Sequence, residues 1–349
     1  MMESLTNLPE FCVSLPKIDL HRHLEGSLRF DTVHQLARAQ ELGLPPTGQL
    51  RTLVEVQDNQ PYTFENFLSK FSTLRLFYRS PEIISRITFE AIADAAADNI
   101  QYLELRFTPV ALSQSQGYSL AQVMDWVIEG AKQGERELGV ITRLIVSINR
   151  HEKPALAAQV SILATERQNE GIVGLDLAGN EADFSALPFI KIFQNAQNKG
   201  MHITVHAGEW NSAENIIQAI ELFGANRIGH GIRVLDSPEA IALARQNGVS
   251  FEVCLTSNQH SGAVTSLYNH PLQKMLDEGL TVTLNTDDPG ISQINLSNEY
   301  VLALTELGMA YPVLRQCIMN SAHASFLGVD EKQKLVQTME NKLPRSIDF

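Results

Sequence analysis

Eight short runs rich in apolar and β-branched residues recur along this chain, at 17–20, 100–107, 140–148, 172–178, 202–207, 227–230, 249–254 and 280–286. Helical patterns lie between them, as at 81–98, 120–138 and 154–169. Strand alternating with helix argues for parallel pairing, because a parallel partner is reached through a crossover connection. Eight such units in about 250 residues or more is the count of a closed (β/α)8 TIM barrel. A doubly wound open sheet competes, but its first strand usually runs into a glycine-rich turn. Here the first strand runs into His21-Arg22-His23-Leu24-Glu25-Gly26 instead. No Ser, Gly or Pro-rich tract divides the chain, so residues 1–349 read as a single domain. About 80 residues separate the first two strands, more than one crossover helix needs. Residues 30–79 are therefore expected to add helices that cover the barrel mouth.

The balance of 40 acidic against 27 basic residues gives a net charge of -13. That field opposes nonspecific binding to nucleic acid or to an anionic membrane surface, and leaves a neutral small molecule as the expected partner. Cys12, Cys254 and Cys317 lie far apart with no CxxC pair, which suggests neither a disulfide framework nor a cysteine metal cluster. A reduced, cytoplasmic protein is the expectation. The first residues show no basic region followed by an apolar core, and no run of about 20 apolar residues occurs.

In a parallel barrel the working face lies at the C-terminal ends of the strands. The first strand ends in His21 and His23, the fifth in His206-Ala207-Gly208-Glu209, the sixth in Gly229-His230-Gly231 and the eighth in Asn285-Thr286-Asp287-Asp288-Pro289. Side chains alternate along a strand, so His21 and His23 point the same way and can grip one ion. With His206 and Asp287 they make a nitrogen and oxygen donor set suited to catalytic zinc, one per chain, with a position left for water. Glu209 follows His206 by three residues and is placed to give a proton to a substrate nitrogen. His230 lies one strand further round, where it can stabilise developing negative charge. Asp288 diverges from its neighbour Asp287 and is free for substrate.

Other polar residues read as structural. His202 shares the parity of His206 but lies deeper in the barrel, as a core histidine. His34, His151, His260, His270 and His323 have no metal-like company. Glu104 and Arg106 share one face of the second strand, where an internal ion pair with Asp19 is expected. The Phe64, Phe67, Leu68 and Phe71 pattern reads as core or lid packing.

Several segments together carry a family likeness. They are Leu15-Pro16-Lys17-Ile18-Asp19-Leu20-His21-Arg22-His23-Leu24-Glu25-Gly26, Phe67-Leu68-Ser69-Lys70-Phe71 and Glu104-Leu105-Arg106-Phe107-Thr108-Pro109. They continue with Gly174-Leu175-Asp176-Leu177-Ala178-Gly179-Asn180-Glu181, His206-Ala207-Gly208-Glu209, Arg227-Ile228-Gly229-His230-Gly231 and Leu284-Asn285-Thr286-Asp287-Asp288-Pro289. In this order, over nearly the whole chain, they resemble the adenosine deaminases, zinc barrels of the amidohydrolase superfamily. The resemblance implies that His21, His23, His206 and Asp287 hold zinc, and that Glu209 protonates purine nitrogen 1. His230 and Asp287 would assist attack on carbon 6, and ammonia would leave to give the inosine-type product. It also implies that His23, Glu25, Gly179 and Asp288 border the substrate, with Asp288 at nitrogen 7 and the Gly179 backbone at nitrogen 3.

Two positions depart from the vertebrate pattern. Glu25 stands where an aspartate meets the sugar 5'-hydroxyl, and Asn180 replaces an acidic residue, so both bear on sugar recognition. Adenosine or deoxyadenosine is the expected substrate. The alternatives are a 5'-modified adenosine such as aminodeoxyfutalosine or methylthioadenosine, or free adenine. A nucleoside-binding barrel without turnover is the reading from another class; Glu209 and His230 argue against it, since binding needs neither. A two-metal hydrolase of amides or phosphoesters is disfavoured, because the fourth strand ends in Asp176-Leu177-Ala178-Gly179 with no lysine to bridge metals.

Overall fold

The computed structural model describes residues 7–346. Its eight strands are β1 (Lys17–His23), β2 (Ile100–Phe107), β3 (Ile141–Asn149), β4 (Ile172–Ala178), β5 (His202–Ala207), β6 (Arg227–His230), β7 (Ser250–Val253) and β8 (Thr281–Leu284). They form one sheet in sequence order, with every neighbouring pair parallel. Helices on the outside complete a (β/α)8 TIM barrel, the expected class. The helix at Leu120–Leu138 has the expected bounds, and the one at Pro81–Ala97 ends one residue early. Pro154–Thr165 stops short of its expected end and is followed by a 3-10 turn at Gln168–Glu170.

The sheet closes between β8 and β1 at the functional rim. The Asp287 N–H donates to the His21 carbonyl at 2.7 Å, and the His23 N–H donates to the Asp287 carbonyl at 2.8 Å. Deeper in the seam a side chain substitutes for backbone pairing, with Asn285 Oδ1 accepting from the Leu20 N–H at 3.0 Å.

A bulge in β1 decides which way the two histidines face. Asp19 pairs with Leu103 and Arg22 with Leu105, three residues of advance on β1 against two on β2. The extra residue reverses the alternation, so Asp19 shares the face of Leu103 while His23 pairs with Arg106. The expected ion pair of Glu104 and Arg106 with Asp19 is therefore not what forms. Asp19 instead pairs with Arg22 at 3.0 Å and accepts from the Thr286 hydroxyl at 2.6 Å. Glu104 pairs with Arg227, and Arg106 with Glu252 at 2.9 Å and Asp176 at 3.5 Å. His202 also differs from a packed core histidine: half-buried at the bottom of the barrel, it stacks on Phe326 with ring centroids 4.5 Å apart.

Between β1 and β2 the chain adds helices at Phe30–Ala39, Thr47–Val54 and Phe64–Leu74. The buried Lys70 ammonium fastens the last two together, donating to the Thr52 carbonyl at 2.7 Å, Gln60 at 2.8 Å and Asn66 at 3.1 Å. This assembly covers the mouth, and Phe67, Leu68, Phe71 and Arg75 line the cavity beneath.

Replacing Asn285 by Leu removes the acceptor of a buried N–H in the closing seam. Urea unfolding is expected to show a loss of about 1–3 kcal/mol; no change in midpoint would mean the seam holds without it.

Candidate active site

The strand ends bring four metal-suited side chains to one point. Donor atoms of His21, His23, His206 and Asp287 all lie within 4.8 Å of one another. Asp287 Oδ1 is 3.2 Å from His21 Nε2 and 3.3 Å from His23 Nε2, and the Nε2 atoms of His23 and His206 face each other at 3.3 Å. His21 Nε2 is buried without a hydrogen-bond partner among the described residues. Ring nitrogens aimed at one another and at one carboxylate oxygen are poorly satisfied by protons, and a divalent cation fits them.

Three of the four side chains are aimed from behind. His21 Nδ1 lies 2.7 Å from Glu252 Oε2, and His206 Nδ1 lies 2.9 Å from Asp176 Oδ1. A ring that donates its Nδ1–H to a carboxylate turns its bare Nε2 toward the metal. Arg106 sits between those carboxylates. The Ser257 hydroxyl donates to Asp287 Oδ2, leaving Oδ1 for the cluster. Asp287 and His230 have φ values of 63° and 59°, in the left-handed region where non-glycine residues are rare. Such backbone is held in place by its surroundings and is characteristic of working sites.

Glu209 and His230 flank the cluster, with His230 Nε2 3.6 Å from Glu209 Oε2 and 3.8 Å from Asp287 Oδ2. Burial, aided by the Asp287 and Glu181 carboxylates, pushes the Glu209 carboxyl well above the ordinary carboxylate range. Glu209 Oε1 accepts from Ser261 at 3.1 Å and Asn258 at 3.4 Å, so the acid proton belongs on Oε2. Asp288 is likewise pushed well up by burial and by Asp287, and burial raises Glu25. Glu25 Oε1 accepts the Thr108 N–H at 2.7 Å, while Glu25 Oε2 and Asp288 Oδ1 are buried without hydrogen-bond partners among the described residues. Gly26 has no room for a side chain, since a Cβ there would lie 1.7 Å from Asp288 Oδ1.

All the expected site residues except His21 line one cavity: His23, Glu25, Gly179, His206, Glu209, His230, Asp287 and Asp288. His21 lies beneath it. Asn180 is not in the lining; its side chain closes a turn, accepting from the Ala182 N–H at 2.9 Å and donating to Asp183 at 2.8 Å. Sequence reasoning missed Glu181, whose carboxylate holds the turn after β5 by accepting the N–H groups of Gly208 at 2.9 Å, Glu209 at 2.6 Å and Trp210 at 2.8 Å. It also missed Glu252 as the partner of His21, and Ser257 and Asn258 on the Leu255–His260 helix with Ser261 just after it.

A family model described as adenosine deaminase matches residues 16–342. An adenosine deaminase of Klebsiella pneumoniae subsp. pneumoniae is 37% identical over 326 residues, covering 93% of this chain and 97% of that one. One of Enterococcus faecalis is 33% identical over 326 residues, covering 93% and 96%. Among solved structures, Arabidopsis ADAL complexed with GMP superposes with a TM-score of 0.86 at 30% identity, over 96% of this chain and 99% of that one. Arabidopsis N6-mAMP deaminase MAPDA gives 0.85 at 30% identity, over 95% and 99%. A Burkholderia ambifaria amidohydrolase with bound Zn gives 0.83 at 26% identity, over 95% and 94%.

Asp176→Asn removes the charge behind His206 while keeping its shape. Competition with a chelator is expected to show metal affinity falling about tenfold; unchanged affinity would mean the carboxylate does not serve the cluster.

Proposed function

Because this chain belongs to the adenosine deaminase family, we propose that it hydrolyses the 6-amino group of adenosine or deoxyadenosine, giving inosine or deoxyinosine and ammonia. What carries this reading is Glu209, a carboxylic acid kept neutral by burial beside a cluster fit for a metal. A site that only bound a nucleoside would have no need of such an acid.

Zinc is the metal proposed for His21, His23, His206 and Asp287, one per chain, since the donors are nitrogen and oxygen without thiolate. When bound, it lowers the pKa of a water toward about 7 and so supplies the nucleophile. The chain's own residues do the rest. Glu209 passes its Oε2 proton to ring nitrogen 1, which makes carbon 6 electrophilic. His230 faces the oxygen that adds to carbon 6 and stabilises its charge. The ring offers two more acceptors: neutral Asp288 donates to nitrogen 7, and the Gly179 N–H meets nitrogen 3. Glu25 Oε2, bare and buried, is left for the sugar 5'-hydroxyl.

One observation favours a second reading, a nucleotide substrate. Arg75 lines the same cavity, and its Nε is buried without a hydrogen-bond partner among the described residues. A guanidinium in that state suits a 5'-phosphate, and ADAL was solved with GMP. The Glu25 carboxyl on the same cavity wall opposes a dianion unless protonated. A cytoplasmic setting is part of the proposal and agrees with the three buried, unpaired cysteines.

Release of ammonia from adenosine, deoxyadenosine, methylthioadenosine, aminodeoxyfutalosine, adenine and AMP, and of methylamine from N6-methyl-AMP, separates these readings. Adenosine and deoxyadenosine are expected to react fastest. Preference for either nucleotide would establish the second reading, and reaction of adenine alone would defeat both. Glu209→Gln is expected to lower kcat by about 100-fold or more with zinc content unchanged; a fully active variant would take Glu209 out of the mechanism.

A further inference from the structure

His230 can act on the added oxygen in two opposite ways. With a bare Nε2 it takes a proton; with an Nε2–H it donates a hydrogen bond. Which form is present follows from the hydrogen bond at the other ring nitrogen.

The chain of bonds that settles it starts at a backbone amide. The Leu272 N–H donates to His270 Nδ1 at 3.1 Å. A backbone N–H can only donate, so His270 Nδ1 carries no proton. Burial lowers the His270 imidazole to about 3, which keeps it neutral at working pH. Its one proton therefore sits on Nε2, which lies 3.2 Å from Asn258 Oδ1. This settles which way the fully buried Asn258 amide is turned, because an amide nitrogen there would set donor against donor. The Asn258 NH2 group then faces the opposite side, 3.0 Å from His230 Nδ1 and 3.4 Å from Glu209 Oε1. An amide NH2 only donates, so His230 Nδ1 is an acceptor and the proton of the neutral ring is on Nε2. That atom points toward Glu209 and Asp287.

We propose that His270 and Asn258 form a relay that locks His230 in its Nε2–H tautomer, so that His230 serves the reaction as a hydrogen-bond donor to the oxygen added at carbon 6 and not as the base that deprotonates water. The chemical role rests on the deaminase reading above, whereas the tautomer does not. Asn258 and His270 are positioning residues. The same amide donates to Glu209 Oε1 and so assigns the acid proton to Oε2, which ties the acid and the hydrogen-bond donor to one side chain. No proton moves along the relay; it fixes orientation only.

Nitrogen-15 NMR of the full chain with labelled histidine reads the tautomer directly, in metal-free and zinc-loaded protein. His230 signals are identified by their loss in His230→Gln. The expected spectrum has His230 with bare Nδ1 and protonated Nε2, and His270 with the same pattern. A proton on Nδ1 of either ring overturns the relay, whatever the enzyme turns over.

Kinetics with adenosine give a second reading. His270→Gln keeps a donor toward Asn258 Oδ1 and is expected to hold kcat within about threefold of wild type. His270→Leu has no donor and is expected to lose about tenfold or more in kcat, in the range of other groups that orient ligands from behind, with KM and zinc content unchanged. Equal kcat for Leu and wild type, or equal losses for Leu and Gln, would overturn the positioning role. If His270→Leu does not fold, the wild-type spectrum still decides. If no substrate releases ammonia or methylamine, the deaminase reading fails while the spectrum still reports the relay.

Discussion

The barrel closes through a residue of the metal-suited cluster at its rim. The Asp287 N–H and carbonyl bond to His21 and His23, so the seam between β8 and β1 and the gathering of the donor atoms are one event. Asp287 takes a left-handed backbone to do this, at φ 63°, while its side chain reaches back over the strand ends. A β-branched residue could not hold that backbone without strain, and a glycine could not supply the carboxylate. The β1 bulge meets the same demand from the other side. Without the extra residue between Asp19 and Arg22, His21 and His23 would keep the face of Asp19 and point away from the barrel axis.

Below that rim the barrel interior is charged where apolar layers are usual. Arg106, Arg227, Glu104, Glu252 and Asp176 are fully buried, and each finds an opposite partner. Buried charges are tolerated when paired and hydrogen-bonded, and removing one partner leaves the other exposed to the full desolvation penalty. Here the pairing also carries direction. Glu252 takes Arg227 on Oε1 at 2.6 Å and has Oε2 left for Arg106 and His21. Burial works against its ionisation, but the two guanidinium groups outweigh it and hold Glu252 well below the ordinary range. It thereby stays an acceptor for the His21 ring. The interior network thus backs the candidate metal cluster, extending from the bottom of the barrel to its mouth.

Much of this was legible in the sequence, and the reasons differ residue by residue. Strand and helix alternate with different periods, so the eight runs and the residues at their ends could be read directly. His21, His23, His206 and Asp287 stood out because ligand-type side chains recur at strand ends, where a parallel barrel concentrates polar groups. The bulge left no such mark, and a period-two reading therefore sent Asp19 to the wrong partners. Glu181, Asn258 and His270 were invisible for another reason. Their partners are backbone N–H groups or polar atoms distant in sequence, and Asn or Glu is equally common on an ordinary surface. His270 was set aside for lacking ligand-like neighbours; its importance comes from a single backbone amide.

The carboxyl groups at the rim divide into two kinds, and the division constrains the whole catalytic cycle. Asp287 is held well below its ordinary range against burial by the His21, His230 and His23 imidazoles around it, whereas Glu209 and Asp288 are held well above it. Neutral acids next to an ionised one suit a substrate ring that presents only acceptors. In the proposed reaction the proton from Glu209 stays on nitrogen 1, because the 6-oxo product carries hydrogen there. Glu209 then finishes as a carboxylate accepting from that N–H in the same buried setting. The burial that raised its proton affinity before reaction now disfavours the ionised form. Product departure and reprotonation return Glu209 to the neutral form that burial favours, so the setting that prepares the acid also restores it.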